Sequence, residues 1–254
     1  MDKNVIELLR DDKQYYGGVG KQYLSNSDIG TLLNNPEEFG VSRPDNKNFA
    51  EGRYFHQLIL EPEKAKDVVW VDSASRNTKA YKEFIEESGM EVALLRTEKE
   101  TIEALVDKMR SNLDFFELIH AKGNVFEMPN IMTYSSVSDD NHSVTQWKGK
   151  ADIVNHDDKM IIDLKTTGNI SAFRSSAYKY NYDSQAYIYT QLFKGYDFTF
   201  VVIDKTTLQI GVYDCSSSFY QSGQEKVEQA NLNYDLFFKL GDTDPNQFLT
   251  TETL

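Results

Sequence analysis

Apolar positions recur at helical spacing through the first half of the chain and at strand spacing through its middle. Ile29, Leu32 and Leu33 form one helical face within Ser25–Phe39, with Ser27 suited to the N-cap and Pro36 and Pro44 flanking the exit. A second helix is predicted over Asn48–Glu61, where Phe49, Phe55, Leu58 and Ile59 are apolar, Gly52 and His56 share a face, and Glu61-Pro62 is the stop. The missing side chain at Gly52 predicts that another element approaches that face. Val68–Val71 reads as a short strand. Two more helices are predicted at 77–88 and 98–120, the second carrying Ile102, Leu105, Met109, Leu113 and Phe116, until Gly123-Asn124 breaks the run.

The period then changes. Val125–Tyr134 reads as a strand whose Pro129 suits an edge or a bulge. Val144–Asn155 and Met160–Thr166 read as strands joined by the polar turn His156–Lys159. An aromatic-faced helix (Phe173, Tyr178, Tyr182, Tyr189) is predicted over Ser171–Phe193, then a hairpin of Phe198–Asp204 and Leu208–Asp214, then an amphipathic helix over Phe219–Leu240. Residues 1–24 read as a polar lead-in that loops at Tyr15-Tyr16-Gly17-Gly18, and the chain from Asp242 as a polar tail. No repeat, low-complexity block or linker divides the remainder. The expectation is one α/β domain over 25–241, a mixed central sheet flanked by helices with a helical N-terminal elaboration.

One stretch of this pattern carries candidate chemistry: Trp147–Thr167, WKGKADIVNHDDKMIIDLKTT. Strand alternation puts Asp163 and Lys165 on one face and Ile162 and Leu164 on the other. Asp152 lies on the preceding strand, 11 residues earlier across the turn. Two carboxylates on adjacent strands could hold a hard divalent cation such as Mg²⁺ between them, with the Leu164 carbonyl as a further ligand. Such an ion serves phosphodiester hydrolysis, and Lys165 would orient the attacking water or stabilise charge on the phosphate. A D-x-K tripeptide on its own is equally an exposed ion pair at a strand end.

Composition narrows the setting. With 40 % hydrophobic and 13 % aromatic residues in 254, the chain can bury a sizeable core and is not disordered. The single Cys215 excludes an internal disulfide and a cysteine-rich zinc site, and points to a reducing compartment. No apolar run approaches the ~20 residues that cross a bilayer, and the first residues lack a signal-peptide core. A soluble, intracellular protein without a membrane partner is expected. The net charge of −13 argues against a nucleic-acid partner until its distribution is considered. Residues 145–180 hold six bases and four acids, so that segment is +2 and the rest of the chain −15.

The same residues resemble a known group. GKADIVN…MIIDLKTT is similar to the core motif of the PD-(D/E)XK nuclease superfamily, with Asp163 where Glu is commoner. More specifically it resembles the RecE-type, exodeoxyribonuclease VIII-like branch. GRYFHQLILEPEK resembles that branch's helix bearing Gly and His before Leu-Glu-Pro, and SNSDIGTLLNNPEEFG its opening helix. Gln185–Tyr189, QAYIY, fits the QxxxY motif of RecB/RecE-like nucleases. These blocks run in family order from Ser25 to Tyr189.

The resemblance implies a restriction-endonuclease-like fold and an Mg²⁺-dependent exonuclease, with Mn²⁺ as a substitute, that digests linear double-stranded DNA ends. It further implies phage or prophage recombination in a bacterial cytoplasm, a single-strand annealing partner, and self-association. By the same resemblance His56 is a metal ligand, Asp152 and Asp163 the metal carboxylates, Lys165 the catalytic lysine, and Glu127 an additional acid. Gln185 and Tyr189 would lie along the DNA path. Lys148 and Lys150 stand where related chains often carry Arg, and are assigned to DNA. On the residues alone, His56 could equally be a core histidine and Gln185 and Tyr189 ordinary packing. Two rival functions remain: a non-catalytic DNA-binding or assembly factor, against which the intact Asp152, Asp163 and Lys165 argue, and a site-specific endonuclease. A helicase-linked module is disfavoured because no GxxxxGK(S/T) pattern is present.

Overall fold

The computed structural model describes residues 3–138, 141–241 and 243–249. Part of the predicted polar tail (242 and 250–254) therefore lies outside the described residues. Eleven α-helices are described. The first six are α1 (Lys3–Leu8), α2 (Asp12–Tyr16), α3 (Asn26–Asn34), α4 (Lys47–Leu60), α5 (Pro62–Ala65) and α6 (Lys79–Ser88). They are followed by α7 (Arg96–Arg110), α8 (Leu113–Ile119), α9 (Phe173–Lys179), α10 (Tyr182–Leu192) and α11 (Ser217–Tyr234).

Two short strands, β1 (Trp70–Val71) and β2 (Leu94–Leu95), pair in parallel beside α6 and α7. The main sheet holds β3 (Asn124–Ser138), β4 (Asn141–Asn155), β5 (Met160–Thr167), β6 (Asp197–Asp204) and β7 (Ile210–Asp214) in chain order across the sheet. Its pairs are antiparallel except β5 with β6, which the α9–α10 crossover makes parallel. The sheet is mixed, as expected, and Pro129 sits on its edge strand β3.

Period-2 alternation divides the core between two faces. Ile161, Phe198, Phe200 and Val202 pack with Trp147 and Ala151 against α3, α10 and α11. Ile162, Leu164, Val201 and Ile203 point the other way, into the layer formed by α4, α7 and α8. Each such buried side chain contributes about 1.5–3 kcal/mol, so the sheet is held from both sides.

Several boundaries differ from the sequence reading, each for a local reason. The helix predicted over 171–193 is two helices, because Asn181 adopts φ 58 between α9 and α10. The helix predicted over 98–120 breaks where the Asn112 side chain accepts from the Phe115 N–H and starts α8. The first core helix is capped at Ser25, not Ser27: the Asp28 carboxylate accepts from the Ser25 N–H at 2.7 Å and the Ser25 hydroxyl at 2.8 Å. The predicted last helix leaves α geometry after Tyr234 in one π turn, Asp235–Lys239. The predicted lead-in turns at Gly17-Gly18, as expected, but is helical before that turn. It forms α1 and α2, and Leu9 and Tyr15 bury against Ile131 of β3.

The β4–β5 ladder is the feature that positions the site. It comprises Asn155↔Met160, Val154↔Ile161 and Ile153↔Ile162 and then stops. The next residues in register are Asp152 and Asp163.

Candidate active site

Where β4 and β5 part, the edge of β5 loses its main-chain partner, and side chains take over. Asp152 Oδ2 accepts from the Leu164 N–H at 2.7 Å. His56, from α4, places Nε2 2.9 Å from the Leu164 carbonyl oxygen and Nδ1 3.3 Å from Asp152 Oδ1. Glu127 enters from the other side. It lies on β3 between the pairs Phe126↔Ile153 and Met128↔Ala151, opposite Asp152, and holds φ 47. A left-handed glutamate in mid-strand stores strain of about 1–3 kcal/mol, a cost found at functional sites. Ligand atoms of His56, Glu127 and Asp152 all lie within 4.8 Å of one another. β4 and β5 approach this face of α4 at His56, but a Cβ at Gly52, one turn earlier, would meet nothing within 4 Å, so that approach does not itself require the glycine.

Asp163 stands across the gap and outside that trio. It forms an ion pair with Lys165, two residues along the same face of β5. Its Oδ1 accepts from Gln185 Nε2 of α10 at 2.5 Å. The Lys165 ammonium also lies 4.9 Å above the Tyr182 ring. The carboxylates are buried, Asp152 7 % and Asp163 2 % exposed, whereas the His56 and Lys165 side chains keep partial access to solvent.

Burial among like charges sets the protonation states. Desolvation and the charge of Asp152 push Glu127 up to about 8. Desolvation, only partly offset by Lys165 and reinforced by Asp152, brings Asp163 to about 6. Desolvation would lower His56, but the charge and hydrogen bond of Asp152 outweigh it and push the imidazole up to about 9. Asp152 itself falls below the usual carboxylate range: His56, Lys165 and the Leu164 N–H overcome its burial. Lys165 is likewise raised against its burial, chiefly by Asp163. An imidazole nitrogen, two carboxylates and a nearby main-chain carbonyl form a donor set that fits a divalent cation.

Three other residues assigned to DNA are placed differently. Tyr189 is 8 % exposed, and its hydroxyl donates to the Lys150 carbonyl at 2.9 Å and accepts from the Lys150 N–H at 3.2 Å. The Lys148 ammonium donates to the carbonyls of Tyr15 at 2.5 Å and Gly20 at 2.9 Å. Lys150 Nζ donates to Asp12 Oδ1 at 2.6 Å. All three are engaged within the protein. Residues that the sequence reading did not assign are Tyr182, three positions before Gln185 on the same helical face, and Asp12, for which no local pattern exists.

A mixed sheet that parts at an Asp152/Asp163 pair, with Lys165 beside it, defines a PD-(D/E)XK nuclease-like domain. The chain belongs to the family described as PDDEXK-like domain of unknown function (DUF3799), which it matches over residues 33–239. No curated protein matches it. Among solved structures, a candidate exonuclease from Eubacterium rectale is similar at 15 % identity and a TM-score of 0.63, covering 96 % of this chain and 95 % of that one. A phage-related exonuclease from Haemophilus somnus 129PT is more distant, at 14 % identity and a TM-score of 0.36 over 87 % of this chain and 96 % of that one. At these identities the first likeness concerns the fold, and the second carries no argument. Among the described residues no helix is long and apolar enough to cross a membrane.

Proposed function

We propose that this protein is a divalent-metal-dependent DNA exonuclease of the RecE type, acting on the ends of linear double-stranded DNA. The supporting observation is the pairing of two half-sites across the β4–β5 gap. His56, Glu127 and Asp152 lie on one side, and Asp163 with Lys165 on the other. Residues 25–241 act as one nuclease domain in this reading, in the cytoplasm of a bacterial cell, self-associating and handing single strands to an annealing protein.

His56, Asp152, Asp163, Glu127 and the Leu164 carbonyl would hold the ion, with Mg²⁺ as the natural choice and Mn²⁺ as a substitute. Such an ion would supply Lewis acidity at the scissile phosphate and hydroxide near neutral pH. Water adds to phosphorus, the ester P–O bond breaks, and the leaving oxygen takes a proton. Lys165, kept protonated by Asp163, places its ammonium against the charge that grows on the phosphate oxygens. Gln185 fixes the Asp163 carboxylate, and Tyr182 holds the lysine from above, so that neither group must reorganise as the reaction proceeds. Tyr189 serves the site through β4, by clamping the backbone two residues before Asp152.

The test is incubation of the purified chain with linear and covalently closed circular duplex DNA, in Mg²⁺, Mn²⁺ or EDTA. Loss of linear DNA alone, abolished by EDTA and by Asp163→Ala, is the expected result. Cleavage of closed circles would replace the exonuclease with an endonuclease. No cleavage in either metal would leave a binding factor.

A further inference from the structure

The segment that buries Lys148 and Lys150 also carries an aromatic ring into the open. Tyr16 ends α2 and is 72 % exposed. Its neighbour Tyr15 is buried beneath it, the two rings meeting edge-on with centroids 4.9 Å apart. Tyr15 is fixed from all sides. Lys148 and Lys150 place their ammonium groups 4.3 and 4.7 Å from its ring centre. Gly20 packs so tightly on the Tyr15 main chain that a Cβ there would fall 1.9 Å from the Tyr15 carbonyl oxygen, which only glycine permits. Asp12, at the start of α2, binds Lys150 at 2.6 Å and Lys64 at 3.0 Å, tying this segment to β4 and to the chain just after α4.

These contacts locate Tyr16. Asp12 binds Lys150, two residues before Asp152 on β4, so the segment strapped to the two lysines lies against the strand that carries Asp152. Tyr16, one helical turn from Asp12 on α2, is therefore an exposed ring beside the strand that carries Asp152. Its backbone is already ordered, so docking a flat partner on it costs little conformational entropy. The partner that suits it follows from charge. Apart from Lys165, the lysines beside Asp152 are bonded within the protein and the chain is strongly acidic, so an uncharged contact is the available way to add grip on the strand next to the phosphate. A nucleobase offers such a contact, because every base has a π-face.

We propose that Tyr16 is a stacking platform that receives a base of the DNA next to the scissile phosphate. It is a positioning residue, and the inference rests on the nuclease reading. Stacking on a pre-ordered ring would hold the strand end in register while the phosphate settles between Asp152 and Lys165, and it would add no salt dependence.

The test uses the full chain in a cleavage-dead Lys165→Ala background, with a linear duplex carrying 2-aminopurine at its terminal positions. Tyr16→Ala and Tyr16→Leu should each weaken binding about tenfold, relieve the quenching of 2-aminopurine, and leave the slope of affinity against salt unchanged. Tyr16→Phe should retain both binding and quenching. With Lys165 intact, Tyr16→Ala should raise KM far more than it lowers kcat, with an unchanged melting temperature. Equal binding and quenching in Tyr16→Ala would overturn the proposal, as would a Tyr16→Phe variant as weak as Tyr16→Ala. An inert wild type would refute the nuclease reading alone, since binding and quenching still decide on Tyr16.

Discussion

His56 Nε2 lies 2.9 Å from the carbonyl oxygen of Leu164, a residue 108 positions away in the chain. An edge carbonyl that β4 would otherwise have bonded is held by a helix side chain, and the same imidazole reaches Asp152. A divalent cation and the protonated ring therefore compete for the same oxygen atoms. Replacing the ring separates metal binding from folding. His56→Ala should weaken metal affinity by more than about tenfold, by analogy with the loss of groups that orient metal ligands. Folding should lose only about 1–3 kcal/mol, the cost of leaving a buried carbonyl unpaired. Metal titration followed by thermal shift, beside urea unfolding without metal, measures both. An unchanged titration removes His56 from the ligand set.

Competition with protons gives a pH dependence of definite sign. His56 is raised to about 9 and Glu127 to about 8, so below these values a cation must displace a proton from each to use it as a ligand. Affinity should tighten as pH rises from 6 towards 9, by about tenfold per pH unit for each proton released. Calorimetric titration in two buffers of different ionisation enthalpy counts the protons directly. Zero released at pH 7 would mean that neither group is a ligand.

Much of this arrangement was legible in the sequence because it rests on local periodicity. Alternation alone put Asp163 and Lys165 on one face of a strand, and Pro129 marked the edge of the sheet. What was not legible depends on distant partners. Residues 1–24 read as a polar lead-in because the burial of Leu9 and Tyr15 comes from Ile131 of β3, which no local pattern encodes. Lys148 and Lys150 read as cations facing DNA, yet carbonyls of Tyr15 and Gly20 and the carboxylate of Asp12 accept their hydrogen bonds. The helix breaks at Asn112 and Asn181 were invisible to a periodicity that continues through both.

The Gly149 and Tyr189 motif positions, read as family signatures, have a packing explanation that can be tested. The Tyr189 ring lies on β4 where Gly149 has no side chain; a Cβ there would approach the ring to 3.0 Å and Leu192 Cδ1 to 2.6 Å. Gly149→Ala should cost about 1–3 kcal/mol by overpacking. Tyr189→Phe should cost about 1–3 kcal/mol, since it leaves the Lys150 N–H and carbonyl without their partner, and it should reduce nuclease activity through displaced Asp152. Denaturant unfolding and DNA binding, measured together, separate the alternatives. Full stability with weakened DNA binding would instead put the phenol on the substrate.

Away from the site, the lobe formed by α6, β2 and α7 is pinned by one acid. Glu98 accepts from Arg76 through both carboxylate oxygens, at 2.6 and 2.7 Å, and from the Leu95 N–H at 2.9 Å. Burial opposes its charge, but the Arg76 hydrogen bonds, the Leu95 N–H and Lys47 prevail, and Glu98 falls from 4.5 to about 2. A carboxylate whose folded value lies below its unfolded one stabilises the fold above pH 4.5 and loses that contribution as pH falls towards 2. Glu98→Gln should therefore lower stability at pH 7 by about 1–3 kcal/mol, with the lower end favoured because Arg76 is partly solvated. The gap between variant and wild type should close between pH 4.5 and 2, where Glu98 takes up its proton. Urea unfolding of both proteins at pH 7, 4 and 3 supplies the comparison. Parallel loss in the two proteins below pH 4.5 would show that the acid sensitivity of this fold resides in other carboxylates.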